Sequence, residues 1–260
     1  MRLGIIGCGA IGSFVARKIE EGVVPHTVLS VVFDVRVEKA YQLRNLLSIK
    51  PEIAFNFDDF IKYDIDVVLE AASQQALKDY GFRILESGKD LVAMSAGAFA
   101  DEEFRHKLFD FARLKNRKIY IPSGAVAGLD GLKALSYVNI SKARLVTRKP
   151  PAGLGKSTEQ PETLFRGSAA EAAKLFPQNI NVAVALGLAG DILEKLEVEI
   201  IVDPKVKNNV HTIEVKSEAA ELKIVLKNRP FPENPKTSFL AALSCLQVLK
   251  NISSNVVIGG

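Results

Sequence analysis

Apolar and polar positions alternate along the first half of the chain in a way that predicts a parallel β-sheet. Short, nearly continuous apolar runs at 1–6, 28–33, 65–71 and 90–94 are separated by stretches in which apolar residues recur every three or four positions. Such runs are typical of strands buried on both faces, and the stretches between them are typical of helices that cover those strands. We therefore predict a doubly wound α/β domain over residues 1–121.

The pattern changes at Pro122, where a glycine-rich stretch begins. A strand-like segment at 140–148 follows, and three later segments alternate between apolar and polar positions: 195–202, 210–215 and 220–226. Period-two alternation is typical of antiparallel strands with one face on a core. We predict a second, α+β domain with a mixed or antiparallel sheet over residues 122–235, and a C-terminal helix within 236–260 that packs back on the first domain.

Local sequence patterns predict the helices of this second domain. Ser168 and Glu171 have the spacing of a capping box, which predicts the start of a short helix. The apolar segment 181–190 is expected to be helical despite two glycines. Residues 234–238 are expected to cap a final helix that begins at Phe239.

Gly7, Gly9 and Gly12 follow the first strand with G-x-G-x-x-G spacing and precede a helical pattern. Gly7 permits a tight turn, Gly9 lets a pyrophosphate approach the backbone, and Gly12 lets the helix pack closely on the strand. The free N–H groups at the helix start would bind the diphosphate. Asp34 ends the second strand, about twenty residues further on, where a Rossmann domain uses an acid to bind ribose hydroxyls.

Ligands of doubly wound sheets bind beyond the carboxyl ends of the strands. This rule and the glycine spacing predict a set of cofactor-binding residues in the first domain: Gly7, Gly9, Ala10, Ile11, Gly12, Asp34, Ala71, Ala72 and Ser95. Asp34 favours NAD, while Arg36 is close enough to meet a 2′-phosphate, so use of NADP stays open. A βαβ unit that binds no nucleotide is the alternative.

Composition excludes several classes of protein. The net charge is +4 and the basic residues are scattered, which does not fit a nucleic-acid-binding surface. No apolar run approaches the length of a membrane span, and the chain starts with a strand, so we expect neither a membrane segment nor a signal peptide but a cytoplasmic protein. Cys8 and Cys245 lack the spacing of a zinc site, and we predict no metal.

His211 is the best candidate for a residue that transfers protons. It alternates with Val210 and Thr212 on a predicted strand, whereas His26 and His106 fit solvated surface positions. A histidine that titrates near neutral pH is suited to forming or hydrolysing an imine. An ordinary half-buried strand histidine is the alternative.

Three basic residues are candidates for binding a substrate carboxylate. Arg148 and Lys149 lie at a strand end, and Lys236 is expected near a helix N-terminus. Arginine binds carboxylates in a bidentate manner, and a helix start adds further donors. Each of these residues could instead be a solvated surface charge.

Seven segments of the chain form a characteristic set: Gly7–Gly12, Met94–Ala98, Ile121–Asp130, Thr147–Pro151, Leu164–Glu171, Phe176–Ala183 and Asn234–Ser238. Together they resemble the L-aspartate dehydrogenase family, and the resemblance runs nearly end to end. The later segments are much more specific than the glycine turn.

The resemblance implies NAD(P)-dependent oxidative deamination of L-aspartate through iminoaspartate, which is hydrolysed to oxaloacetate and ammonia or feeds nicotinamide-cofactor biosynthesis. His211 resembles the catalytic histidine of the family, and Ala125 and Asn181 resemble its cofactor-contacting residues. A homodimer and a second domain with a mixed sheet are implied in the same way.

Two other functions stay open from the sequence. Other two-domain reductases of small dicarboxylates share the first domain and differ in the second. A protein that senses NAD(H) without turnover would share the nucleotide site but would not need His211.

Overall fold

The computed structural model describes residues 1–151, 157–176 and 180–259. By its internal contacts, the chain divides into two compact units. The first unit comprises Met1–Pro122 and Ala242–Val257. The second comprises Ser123–Ala241 and the C-terminal residues from Ile258.

The first unit is built on a six-stranded sheet in which every pair of neighbouring strands is parallel. Its strands are β1 (Arg2–Ile6), β2 (Val28–Phe33), β3 (Glu52–Ile53), β4 (Val67–Glu70), β5 (Asp90–Ala93) and β6 (Ile119–Tyr120). Their order in the sheet is β3-β2-β1-β4-β5-β6. The chain therefore reverses direction across the sheet beside β1, at the switch point where such sheets bind ligands. The predicted doubly wound domain is confirmed.

The first unit contains the helices α1 (Ala10–Glu20), α2 (Val37–Leu46), α3 (Phe57–Phe60), α4 (Gln74–Glu86), a 3-10 helix (Ala96–Ala100) and α5 (Glu102–Leu114). Three of these helices, α3, α4 and α5, begin at side chains that cap them. The side chains of Asn56, Ser73 and Asp101 each accept a backbone N–H in the first turn of α3, α4 and α5. Such caps satisfy N–H groups that have no partner within the helix.

The second unit is built on a mixed five-stranded sheet. Its strands are β7 (Ile140–Lys149), β8 (Glu162–Ser168), β9 (Glu197–Val202), β10 (Val210–Ser217) and β11 (Glu221–Lys227), in the order β11-β10-β7-β9-β8. A short hairpin follows, formed by β12 (Pro230–Phe231) and β13 (Asn234–Ser238). Its helices among the described residues are α6 (Leu129–Leu135), α7 (Ala169–Leu175) and α8 (Asn181–Ala189). The last helix, α9 (Phe239–Ser253), starts in the second unit and belongs to the first from Ala242 onward.

The strands of the second unit differ from the sequence prediction in three places. β9 pairs in parallel with β7, although its alternation predicts antiparallel pairing, and it is antiparallel only to β8. β8 itself is not predicted. Residues 234–238 form β13, a strand that the sequence does not predict, and the helix that follows begins at Phe239, as predicted. The pairings of β8 and β9 depend on distant parts of the chain, which local alternation cannot specify.

The capping box of α7 is confirmed. The Ser168 side chain accepts the backbone N–H of Glu171, and the Glu171 carboxylate accepts the backbone N–H of Ser168. α8 is buried over most of its length, as its apolar composition predicts. Among the described residues, no helix is long and apolar enough to span a bilayer.

Candidate functional site

The glycine turn after β1 depends on close contacts that only glycine allows. Gly7 has a φ of +96°, and a Cβ at this position would lie 2.6 Å from the carbonyl oxygen of Ala71. A Cβ on Gly12 would overlap the carbonyl oxygen of Gly7. A Cβ on Gly9 would meet nothing within 4 Å. Gly7 and Gly12 therefore let backbone segments approach each other, whereas Gly9 leaves open space beside the start of α1.

That open space suits a phosphate group. Ala10, Ile11 and Gly12 form the first turn of α1, and among the described residues no side chain caps it. The N–H groups of an uncapped helix start are anion-binding donors, and the helix dipole favours negative charge there. The local geometry therefore fits the diphosphate of a dinucleotide.

Asp34 connects the glycine turn to the end of β2. One carboxylate oxygen, Oδ2, accepts the backbone N–H of Cys8 at 2.8 Å, and Oδ1 accepts that of Arg36 at 2.9 Å. The residue is 8% exposed, so its carboxylate still reaches the surface of the crevice. The Arg36 side chain is largely exposed, with Nε 3.9 Å from Oδ1 of Asp34.

Five of the predicted cofactor residues line one crevice of about 420 Å³: Gly7, Gly9, Asp34, Ala71 and Ala72. Val35, Arg36 and Tyr80 line it as well. Ser95 lies deeper, where its N–H and its hydroxyl both donate to the buried carboxylate of Glu70. The structure thus brings the predicted residues of the first unit to the carboxyl ends of β1, β2, β4 and β5.

His211 lies on β10 of the second unit, directly opposite Thr147 on β7. It is 4% exposed, and its Nδ1 lies 2.9 Å from Oγ1 of Thr147. Burial, together with the nearby charge of Lys149, lowers the pKa of His211 to about 4. The imidazole is therefore neutral near pH 7, and one of its ring nitrogens can accept a proton.

Lys149 is the basic residue that the structure brings close to His211. It lies two positions beyond Thr147 on β7, so that both side chains project from the same face of the sheet. Lys149 is buried, and burial lowers the pKa of its ammonium group. A substrate carboxylate would offset the cost of burying this charge.

The other two predicted carboxylate-binding residues are placed differently. Arg148 projects from the opposite face of β7, and its Nη1 lies 3.0 Å from Oδ2 of Asp203. The structure therefore does not bring Arg148 together with His211. Lys236 belongs to β13, not to the helix start that the sequence predicts, and its side chain lies outside the described part of the structure.

Ala125 and Asn181 belong to the same unit as His211. Ala125 is buried, and its carbonyl oxygen accepts a hydrogen bond of 2.9 Å from the side-chain amide of Asn228. Asn181 is the first residue of α8 and is partly exposed. Asn228 and Thr147 are polar partners that sequence patterns do not single out, since each acts through contacts with distant residues.

Comparison with known proteins identifies the family. Residues 7–122 match the NAD-binding domain family of homoserine dehydrogenase, and residues 130–252 match the C-terminal domain family of aspartate dehydrogenase. The chain is 44% identical over 259 residues to the L-aspartate dehydrogenase of Methanothermobacter thermautotrophicus, covering 100% of this chain and 98% of the relative. The chain belongs to the L-aspartate dehydrogenase family.

Other family members agree over the whole length. The L-aspartate dehydrogenase of Archaeoglobus fulgidus is 39% identical over 258 residues, covering 99% of this chain and 100% of the relative. The crystal structure of aspartate dehydrogenase from Thermotoga maritima superposes with a TM-score of 0.82 at 31% identity, covering 100% of this chain and 99% of that one.

A more distant structure shares only the fold. Scyllo-inositol dehydrogenase from Lactobacillus casei, solved with NAD(H) and scyllo-inositol, superposes with a TM-score of 0.61 at 14% identity, covering 100% of this chain and 91% of that one. The predicted NAD-binding domain and the resemblance to the L-aspartate dehydrogenase family are confirmed.

Among the described residues, no group of three or more His, Cys, Asp or Glu side chains could hold a metal ion.

The glycine turn generates the first prediction. Gly12→Ala is expected to lower the free energy of unfolding by about 3 kcal/mol, because the new Cβ would overlap the backbone of Gly7. Gly9→Ala is the matched control, with an expected change within about 0.5 kcal/mol but weaker NAD binding. Urea unfolding and NAD titration calorimetry measure the two effects. Equal stability of the two variants would contradict this account of Gly12.

His211 generates a prediction about pH and stability. Its ordinary pKa of 6.5 applies to the unfolded chain, whereas the folded value is about 4. Between these values the unfolded chain binds a proton that the folded protein does not. Stability therefore falls as the pH falls, by at most about 1.4 kcal/mol per pH unit from this residue.

His211→Asn should remove this contribution. The measurement is the free energy of unfolding in urea between pH 7 and pH 4.5 for the parent and the variant. His106→Asn is the control, because His106 is exposed on α5. If the free energy of unfolding fell equally with pH in the parent and in His211→Asn, His211 would not be a buried neutral group in the folded protein.

Proposed function

We propose that this chain catalyses the NAD(P)-dependent oxidative deamination of L-aspartate to iminoaspartate, which is then hydrolysed to oxaloacetate and ammonia. The observation that carries the proposal is the full-length relationship to L-aspartate dehydrogenases, with 44% identity over 259 residues. When bound, the nicotinamide cofactor accepts the hydride from the substrate Cα. The protein must supply cofactor binding, substrate orientation and proton transfer.

Cofactor binding is assigned to the crevice of the first unit. The open space at Gly9 and the uncapped start of α1 would hold the diphosphate. Asp34 would accept hydrogen bonds from the ribose hydroxyls. Ala125 and Asn181 remain proposed cofactor contacts.

Proton transfer is assigned to His211. We propose the tautomer in which Nδ1 carries the hydrogen and donates to Oγ1 of Thr147, so that Nε2 receives a proton from the substrate or from the water that attacks the imine. The low pKa keeps the ring unprotonated at neutral and alkaline pH, as a base requires. The same low pKa makes this imidazole a weaker base than the near-neutral histidine that the sequence predicts.

Substrate orientation is assigned first to Lys149. Its buried ammonium lies on the same sheet face as His211 and could bind one carboxylate of L-aspartate. Arg148 faces the other side of the sheet and pairs with Asp203, which disfavours it as a direct ligand beside His211. Lys236 remains a candidate from sequence alone.

Assembly and location stay predictions. The resemblance to the family implies a homodimer, and composition predicts a cytoplasmic protein. Light scattering coupled to size-exclusion chromatography measures the first directly.

The activity itself is the third prediction. Purified protein with NAD and L-aspartate at alkaline pH should increase absorbance at the reduced-nicotinamide band, and His211→Asn should lower kcat about a hundredfold or more. Binding of NADH should be retained in the variant, since His211 is assigned to proton transfer.

The controls separate the rival functions. His106→Asn should retain full activity because this exposed histidine lies on α5 of the nucleotide unit. A panel of other amino acids, hydroxy acids and inositols tests for other substrates. Turnover of a different substrate, or NADH binding with no turnover at all, would reject L-aspartate dehydrogenation.

Asp34 generates the fourth prediction. Asp34→Ala should raise the KM for NAD about tenfold more than the KM for NADP, because the carboxylate favours ribose hydroxyls and opposes a 2′-phosphate. The variant also loses the acceptor of the Cys8 and Arg36 N–H groups, which affects both cofactors alike. The ratio of the two KM values is therefore the measurement, and an unchanged ratio would defeat the assignment.

A further inference from the structure

Glu70 is a buried carboxylate to which the proposed reaction assigns no role. It is the last residue of β4 and has no exposed surface. Burial raises the pKa of this carboxyl, and hydrogen bonds from Ala72, Ser73 and Ser95 oppose that effect. Burying a carboxylate costs free energy unless its oxygens are hydrogen-bonded. We therefore expect a carboxylate at such a position to have a specific role.

The carboxylate of Glu70 accepts four hydrogen bonds. Oε1 accepts the backbone N–H groups of Ala72 at 2.8 Å and Ser73 at 2.9 Å, and the hydroxyl of Ser95 at 2.9 Å. Oε2 accepts the backbone N–H of Ser95 at 3.1 Å. Glu70 thus joins the segment after β4 to the segment after β5, its neighbour in the sheet.

The segment after β4 forms part of the wall of the cofactor crevice. Ala72 and Ser73 line it directly, and Ser73 also caps α4 by accepting the N–H of Ala76 at 3.0 Å. The preceding residue, Ala71, lies against Gly7 so closely that a Cβ on Gly7 would meet its carbonyl. A shift of this segment would therefore move one wall of the crevice and disturb the glycine turn.

We propose that Glu70 is a positioning residue for the cofactor, which holds the backbone at Ala72, Ser73 and Ser95 in the shape that binds the dinucleotide. It acts through these backbone groups and does not touch the cofactor itself. The inference rests on the cofactor binding in the proposed function, but not on the identity of the substrate.

The hydrogen-bond pattern requires a carboxylate at this position. A glutamine has nearly the same shape, but one of its two terminal atoms is an NH2 donor. If the NH2 took the place of Oε1, it would face the N–H groups of Ala72 and Ser73. If it took the place of Oε2, it would face the N–H of Ser95. Either orientation sets donor against donor and leaves buried N–H groups unpaired.

Glu70→Gln is the first test. We expect its Kd for NADH, measured by the fluorescence of the reduced nicotinamide, to rise about tenfold, with a similar rise in the KM for NAD. At saturating NAD, the KM for L-aspartate should stay within about twofold, because Glu70 acts on the cofactor crevice alone. Glu86→Gln, at the exposed far end of α4, is the matched control and should bind NADH normally.

Ser95→Ala supplies a second test if Glu70→Gln does not fold. It removes one hydroxyl bond to Glu70 and leaves the three backbone N–H donors in place. In the cofactor-free protein we expect faster amide hydrogen exchange in peptides covering residues 71–76, a readout that a direct contact between Ser95 and the cofactor cannot change.

The outcomes separate this inference from the proposed function. Wild-type NADH affinity in folded Glu70→Gln would overturn it, as would unchanged exchange over residues 71–76 in Ser95→Ala. Weakened NADH binding in Glu70→Gln would support it even if the parent protein failed to oxidise L-aspartate. Failure of the parent protein to oxidise L-aspartate would reject only the proposed function.

Discussion

Backbone N–H groups just beyond the strand ends of the six-stranded sheet must find acceptors, and two carboxylates supply them. Asp34 accepts N–H groups from Cys8 and Arg36, and Glu70 accepts those of Ala72, Ser73 and Ser95. Unpaired buried N–H groups would cost free energy comparable to a lost hydrogen bond. The two carboxylates therefore set the shape of the edge where the nucleotide is expected to bind.

In the second unit, strand register has the same importance. The pairing of β10 with β7 sets His211 opposite Thr147, so the ring lies on the buried face that also carries Lys149. A shift of one residue along β10 would turn His211 to the face that carries Arg148. On that half-exposed face the imidazole would be less desolvated, and the main cause of its low pKa would be reduced. The acid-base properties of His211 thus depend on the hydrogen-bond ladder between two strands.

Features that depend on neighbours in the chain could be predicted from the sequence. The spacing of the glycines, the position of Asp34 and the capping box at Ser168 are of this kind, because turns and helix starts are specified within a few residues. The parallel pairing of β9 with β7 and the existence of β8 could not be predicted, since both depend on packing between distant segments.

Arg148 and Lys149 show an intermediate case. Neighbouring residues of a strand place their side chains on opposite faces. The sequence pattern ends this strand at 148, so that rule was not applied to Lys149, whereas in the structure the strand ends at Lys149. An error of one residue in a boundary was enough to group two residues that face opposite ways. The hydrogen bonds between Glu70 and Ser95 had no such local pattern, because α4 and β5 separate the two residues along the chain.

The two carboxylates of the nucleotide unit differ in how much of their acceptor capacity is used. An ionised carboxylate offers about four lone-pair sites. Glu70 accepts four hydrogen bonds from the protein, three of them on Oε1, and has no exposed surface through which a ligand could reach it. Asp34 accepts one N–H on each oxygen and is 8% exposed in the crevice wall, which leaves about two sites for ribose hydroxyls. Similar chemistry at neighbouring strand ends thus suits Asp34 to contact the cofactor and Glu70 to hold the backbone around it.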